Sequence, residues 1–341
     1  MEEVKAREGD FIETIEGLIF DVKGLIHPPG RIIAYLRYIE DPSGERIRNG
    51  KRYKKVYSLA DRDRIVKEKY PQYIHYDKNF GEWMESVPTN LIKKHYKPEW
   101  KVLDLIGKNV LDETEHCALK LIETIHDVTQ TPLEKMGITG SILVDLHTQN
   151  SDIDITIYGW KNCISVYEEL KTLLEEGRMG FRKYDIQKLS KLYEFRVKDT
   201  WMKFEDFYKI ERRKISQGEF LNRDFYIRFI LDWDEVEEKY GDKIYRTIGY
   251  AKVKALIEDD KYAIFTPCKY TISNVELIEG ECNPKKLTEI TSFRGRFCEQ
   301  ARRGEWVIAQ GKIEIVTTNS GEEYCRMVLG GKPSDFMILK E

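Results

Sequence analysis

The sequence predicts an α+β chain with β-rich ends and a mixed centre. Three observations predict it. Stretches rich in β-branched and aromatic residues recur near both ends. The middle carries apolar residues at helical spacing beside alternating, strand-like runs. Turn signals punctuate both flanks.

In chain order, Phe11 to Phe20 and Arg31 to Ile39 read as strands, separated by His27-Pro28-Pro29-Gly30. Asp41-Pro42-Ser43-Gly44 ends the second. Asn49-Gly50 then suggests a tight hairpin, flanked by Arg46, Arg48, Lys51, Arg52, Lys54 and Lys55. Such a hairpin either tracks phosphates or is a solvated edge guarded by charge, and the second is the favoured reading. Leu111 to Val128 has helical spacing, with Asp112 and Glu113 in its first turn. Asp152 to Tyr158 alternates as a strand, and Val166 to Leu174 reads as a helix stopped by Gly177 and Gly180. Leu192 to Val197 and Phe225 to Leu231 are further strand candidates. Tyr262 to Phe265, Trp306 to Ala309, Lys312 to Val316 and Tyr324 to Leu329 complete the C-terminal strands. The expected division is a β-rich domain over 1–100, a central domain over 101–260 and a β-rich domain over 261–341.

The 341 residues are 41% hydrophobic and 34% charged, which excludes a wholly disordered chain. With 56 Lys and Arg against 59 Asp and Glu the net charge is −3, so the chain is not a basic nucleic-acid coat. No apolar run approaches the roughly 18 residues of a membrane span. Met1-Glu2-Glu3-Val4-Lys5 lacks the form of a signal peptide, and a cytoplasmic location is expected. Six scattered cysteines without a CxxC pair point to buried thiols rather than a zinc or redox motif.

The chemistry is concentrated in residues 139–157. Asp152 and Asp154 are two apart on an expected strand, so both carboxylates share one face while Ile153, Ile155 and Ile157 share the other. Neighbouring carboxylates repel unless a cation lies between them. Mg²⁺, or Mn²⁺ in its place, is the natural partner, since such ions take one or two carboxylates plus substrate phosphates. Upstream, Gly140-Ser141 leaves a strand and opens a short helix. Glycine allows close backbone approach there, and the exposed amides suit a phosphate.

A Gly-Ser pair, a spacer of about ten residues and a strand-borne Ser-Asp-Ile-Asp resembles the nucleotidyltransferase superfamily. That superfamily includes DNA polymerase beta, poly(A) polymerases, CCA-adding enzymes and minimal antitoxin-type transferases. The chain looks most like archaeal nucleotidyltransferases with extra flanking domains, and the likeness covers about residues 110–235. It implies a central nucleotidyltransferase fold and transfer of an NMP from a nucleoside triphosphate to an acceptor hydroxyl; the acceptor is RNA, a protein or a small molecule, and the basic and aromatic patches of the flanks favour RNA slightly. It implies that Asp152 and Asp154 hold the nucleotide-bound metal, with Gly140, Ser141 and Arg228 at the phosphates.

The resemblance also calls for a third acid on a neighbouring strand, two residues before Arg228, and Tyr226 stands there. Asp224, on the same face, is the first candidate for that carboxylate and Glu194 the second. The other reading, from a different class, is a catalytically silent member that binds nucleotide or nucleic acid. Further patches carry two readings each. Lys209, Arg212, Arg213 and Lys214 grip a phosphate backbone or form a solvated face. Arg294, Arg296, Arg302 and Arg303 around Phe293 and Phe297 form a nucleic-acid surface or an amphipathic element. Tyr70, Tyr73, Tyr76, Phe80 and Trp83 are read as core packing ahead of base stacking. His147 is expected to be a polar loop residue, and Asp145 to cap a helix or shape the spacer.

Overall fold

A computed structural model describes residues 4–340. Met1 to Glu3, on which the leader reading partly rests, lie outside them. The fold is α+β, organised as two compact units. The first runs to His75 and takes in 83–183 and 216–237; the second comprises 76–82, 184–215 and 238–341.

The first unit holds one whole sheet and most of another. Strands β1 (Phe11–Thr14), β2 (Ile19–Val22), β3 (Arg31–Glu40), β4 (Arg46–Arg48), β5 (Lys51–Lys55), β6 (Ile74–Asp77), β7 (Glu82–Pro88) and β8 (Ile92–Tyr96) make an eight-stranded sheet. Its main path is β4-β5-β3-β2-β1-β8, and β7 also pairs with β3. Alternation along these strands builds two cores. Ile12, Phe20, Val22, Ile32, Ala34 and Leu36 face one way, toward Val66 of helix α1 (Leu59–Lys69). Phe11, Ile19, Tyr38, Tyr53 and Tyr96 face the other, onto Leu143, Val144 and Leu146. The sequence reading missed α1 because Leu59–Lys69 buries only Val66 and so carries no apolar stripe; Ser58 caps it.

Helices α2 (Pro98–Ile106) and α3 (Glu113–Thr129) lead into the second sheet. That sheet is formed by β9 (Met136–Ile138), β10 (Ile153–Tyr158), β11 (Phe181–Arg182), β12 (Gln217–Phe220) and β13 (Arg223–Ile230), in the order β11-β12-β13-β10-β9. Only β10–β13 is parallel. The short helix α4 (Gly140–Leu143) follows β9, and α5 (Trp160–Glu176) follows β10. The strand expected over Phe225 to Leu231 and the acidic strand are thus direct neighbours.

The expected domain boundaries fall inside elements. Position 100/101 lies within α2, and 260/261 lies within β14 (Lys243–Tyr262). The long strand is needed because β14 pairs with two partners, β15 (Cys268–Gly280) and β17 (Trp306–Thr318). With β16 (Leu287–Ser292) and β18 (Glu323–Leu329) they close a five-stranded barrel in which only β16–β18 is parallel. β19 (Phe336–Lys340) adds to β17. Val253, Ile257, Tyr270, Ile290, Val307 and Met327 fill its interior.

Residues 184–215 belong with this barrel rather than with the central domain. Leu192 to Val197 is no strand but the end of helix α6 (Ile186–Arg196). Asp185 caps α6 through the Lys188 amide, and Tyr193 packs edge-on against Phe204 and Phe207 of α7 (Phe204–Glu211). Cap and ring packing override the β-like run Tyr193-Glu194-Phe195.

The basic clusters are spent largely inside the unit. Arg213 clasps Glu305 at 2.7 and 3.0 Å. Lys214, 3% exposed, holds Glu211 and the Arg296 carbonyl. Arg294 and Arg296 both bind Asp199. Of the aromatic run, Tyr73 is buried against Phe20 and Phe80 stacks on Tyr245, as packing residues do. All six cysteines are free, and five are buried. Among the described residues, no helix is long and apolar enough to cross a membrane.

Candidate functional site

Strand alternation places Asp154 on the face of β10 opposite Ile153, Ile155 and Ile157, which are fully buried. Asp152 immediately precedes the strand and is exposed; Asp154 is half-buried. Among the described residues neither carboxylate has a hydrogen-bond or ion-pair partner. Burial first, and Asp152 second, push the Asp154 carboxyl up to about 6, against the pull of Arg228, Lys55 and Arg37. Two neighbouring acids that form no ion pair with a protein cation suit a hard divalent ion.

Gly140 is tied to this pair by sterics. Its φ is +66°, and a Cβ there would lie 2.3 Å from Asp154 Oδ2. The Thr139 amide donates to the Asp154 carbonyl at 2.9 Å. Only glycine satisfies both the left-handed backbone and the close approach. Ser141 follows, 3% exposed. Its carbonyl accepts from the Leu146 amide, which folds the spacer back on itself. Asp145 sits at φ +54° in that spacer, held by Lys101 at 2.5 Å, so it shapes the loop rather than capping a helix.

The parallel register sets Asp154 beside Tyr226. The position from which the resemblance expects a third carboxylate is therefore a tyrosine in space as well as in sequence. Asp224 stands one alternation earlier on the same face, at the level of Asp152, and pairs across β12 with Glu219. Glu194 lies on α6 in the second unit, on no strand of this sheet. Arg228 does not pair with Asp152, Asp154, Asp224 or Asp232. It forms an ion pair with Glu8, which is fully buried and also binds Lys23 and the Gly24 amide. Asp232 is held by Arg7 and Lys135 instead.

The eight-stranded sheet closes over the spacer. Arg46 donates to the Leu146 carbonyl at 2.5 Å, and Arg48 to the Val144 carbonyl, Glu13 and two tyrosines. Both arginines are buried. The hairpin read from sequence as a solvated edge is thus a clasp on the loop after Gly140-Ser141. Sequence could not reveal this, because the partners lie some hundred residues away.

Asp112, Glu115 and His147 also converge closely enough to share an ion. Their atoms are already used, however. Asp112 and Glu115 form a reciprocal capping box for α3, Lys108 neutralises Glu115 at 2.6 Å, and His147 Nε2 meets Asp112 at 2.7 Å. His147 is thus a loop residue pinned to a helix cap.

No family model and no solved structure matches the chain. It is 34% identical over 337 residues to an uncharacterized protein of Methanocaldococcus jannaschii, with 96% of each chain covered. The chain belongs to the family of that protein.

Proposed function

We propose that this chain is a metal-dependent nucleotidyltransferase that moves an NMP from a nucleoside triphosphate to an acceptor hydroxyl. One observation carries the reading: Asp154, on the strand, and Asp152, just before it, are unpartnered carboxylates that act on one another, and Gly140 of the Gly-Ser turn presses directly on Asp154. The second sheet, with its acidic strand between β9 and β13, is read as the nucleotidyltransferase core.

Asp152 and Asp154 would hold Mg²⁺ or Mn²⁺. When bound, the ion would supply charge neutralisation at the α-phosphate and orientation of the triphosphate. Asp154, recessed beside Gly140, fixes where the nucleotide's phosphates sit. Asp152, exposed, borders the side open to solvent. In the transfer the acceptor oxygen bonds to the α-phosphorus and the α–β anhydride bond breaks. Pyrophosphate leaves, and the hydroxyl proton passes to water. RNA is the acceptor to offer first, although most of the basic clusters that suggested it are paired within their own unit.

The experiment is calorimetric titration with each NTP in Mg²⁺, using wild type and Asp152→Asn/Asp154→Asn. Metal-dependent binding that weakens tenfold or more in the variant is expected. Binding of equal strength in both would overturn the assignment. A second reading is favoured by Tyr226 beside Asp154: a silent member that binds nucleotide without transferring it. Metal-dependent binding together with no transfer to any offered acceptor would select it.

A further inference from the structure

The face of the eight-stranded sheet that clasps the spacer carries two cations that the clasp does not use. Lys55 pairs across the ladder with Tyr38, and Tyr38 packs in the same small core as Leu143, Val144 and Leu146. Arg37 occupies a register shift. Ile19 pairs with Tyr38 and Phe20 with Leu36, so Arg37 is the extra residue between them. A bulge re-aims its side chain, and its carbonyl is held by the Val56 amide at 2.9 Å.

Both cations lie against the ring of Tyr57, at 5.7 Å for Arg37 and 5.1 Å for Lys55. Both are half-buried, and among the described residues neither forms an ion pair. Lys55 lies within electrostatic reach of Arg37, Arg46, Asp152 and Asp154. Arg37 acts on Asp21 as well as Asp154. Burial and the adjacent Arg37 pull the Lys55 ammonium down to about 8. Arg46 and Arg48, by contrast, each hold a carbonyl of the spacer, and Arg48 also pairs with Glu13.

Two half-buried like charges beside each other, neither in an ion pair, are costly to a folded protein. A multiply charged anion removes that cost. The anion must also tolerate the neighbouring Asp152 and Asp154. A polyphosphate carrying a divalent cation does so, because its metal faces the acids while its outer phosphates face the bases. We infer that Arg37 and Lys55 of the N-terminal sheet form the wall that binds the nucleotide's β- and γ-phosphates, and the pyrophosphate left after transfer. This rests on the transferase reading and adds a polyphosphate subsite supplied from outside the acidic sheet.

The test is calorimetry of inorganic pyrophosphate in Mg²⁺, which needs no acceptor and no turnover. Wild type, Lys55→Met, Arg37→Met and Lys55→Arg are compared, each with its thermal midpoint. Pyrophosphate binding should weaken tenfold or more in each methionine variant and largely persist in Lys55→Arg. The midpoints of the methionine variants should hold or rise, because an uncompensated charge is gone; a merely structural lysine would lower them. Wild-type affinity in both methionine variants overturns the inference, as does absence of pyrophosphate binding by wild type. Lys55-dependent binding of a single-stranded RNA oligonucleotide without pyrophosphate binding also overturns it, moving these cations to the acceptor. Lys55-dependent pyrophosphate binding without nucleotidyl transfer keeps the subsite while the transferase reading fails. Transfer that ignores both substitutions does the reverse.

Discussion

At the scale of single residues, the site depends on one glycine and one displaced arginine. Gly140 carries a positive φ and touches Asp154, so Gly140→Ala meets strain and a clash together. We expect a loss of at least about 2 kcal/mol, read as a fall of several degrees in the thermal midpoint, with weaker metal-dependent nucleotide binding. Arg228 is neutralised by Glu8 deep in the first unit. Arg228→Met alone should cost on the order of 2 kcal/mol, because buried Glu8 keeps Lys23 and the Gly24 amide but loses its second cation. The double variant Glu8→Gln/Arg228→Met should lose clearly less than the sum of the single losses in urea unfolding. Additive losses would show that the pair is not coupled. The strand that carries Asp154 is legible in the sequence because alternation is local, whereas its start at Ile153, just after Asp152, is not. Nor is the partner of Arg228, since Glu8 lies 220 positions away and no local period connects them.

At the scale of elements, local patterning revealed the acidic strand, its parallel neighbour and α3. It failed where packing decided. Tyr193-Glu194-Phe195 has strand-like composition, yet Asp185 and the rings of α7 make it helical. The Arg46–Lys55 hairpin looked solvated because its targets, the Val144 and Leu146 carbonyls, belong to a distant loop. The turn before β3 carries a pH prediction. His27 Nε2–H donates to the Ala6 carbonyl at 2.8 Å, and its Nδ1 accepts from the Ile33 amide at 3.1 Å. Protonating Nδ1 breaks the second bond. Burial, first of all, lowers the His27 pKa to about 4. The unfolded chain therefore binds this proton more readily than the folded one. His27 contributes its stability fully above pH 6.5 and loses it as pH falls toward 4, on the order of 3 kcal/mol in total. A ring titration by NMR should find His27 neutral at pH 5.5. Titration near 6.5 would contradict the two-bond geometry.

At the scale of the whole molecule, the chain was legible as α+β with β-rich ends, but not as two units with interleaved segments. Residues 184–215 sit between strands of the central sheet in sequence yet belong with the barrel, through pairs such as Arg213–Glu305 and Arg296–Asp199. Contacts of that range leave no trace in composition or periodicity. The motif at 139–157 survives as a geometric unit in which the turn, the acidic pair and the clasping sheet converge. If this unit transfers nucleotides, as proposed, label passes from α-phosphate-labelled NTPs to an acceptor. Each NTP is offered with Mg²⁺ and then Mn²⁺, with cellular RNA and the protein itself as acceptors, for wild type and Asp152→Ala/Asp154→Ala. Wild type should label an acceptor, and the variant should label none. Label that persists in the variant, or none from wild type with any nucleotide, would contradict the proposal.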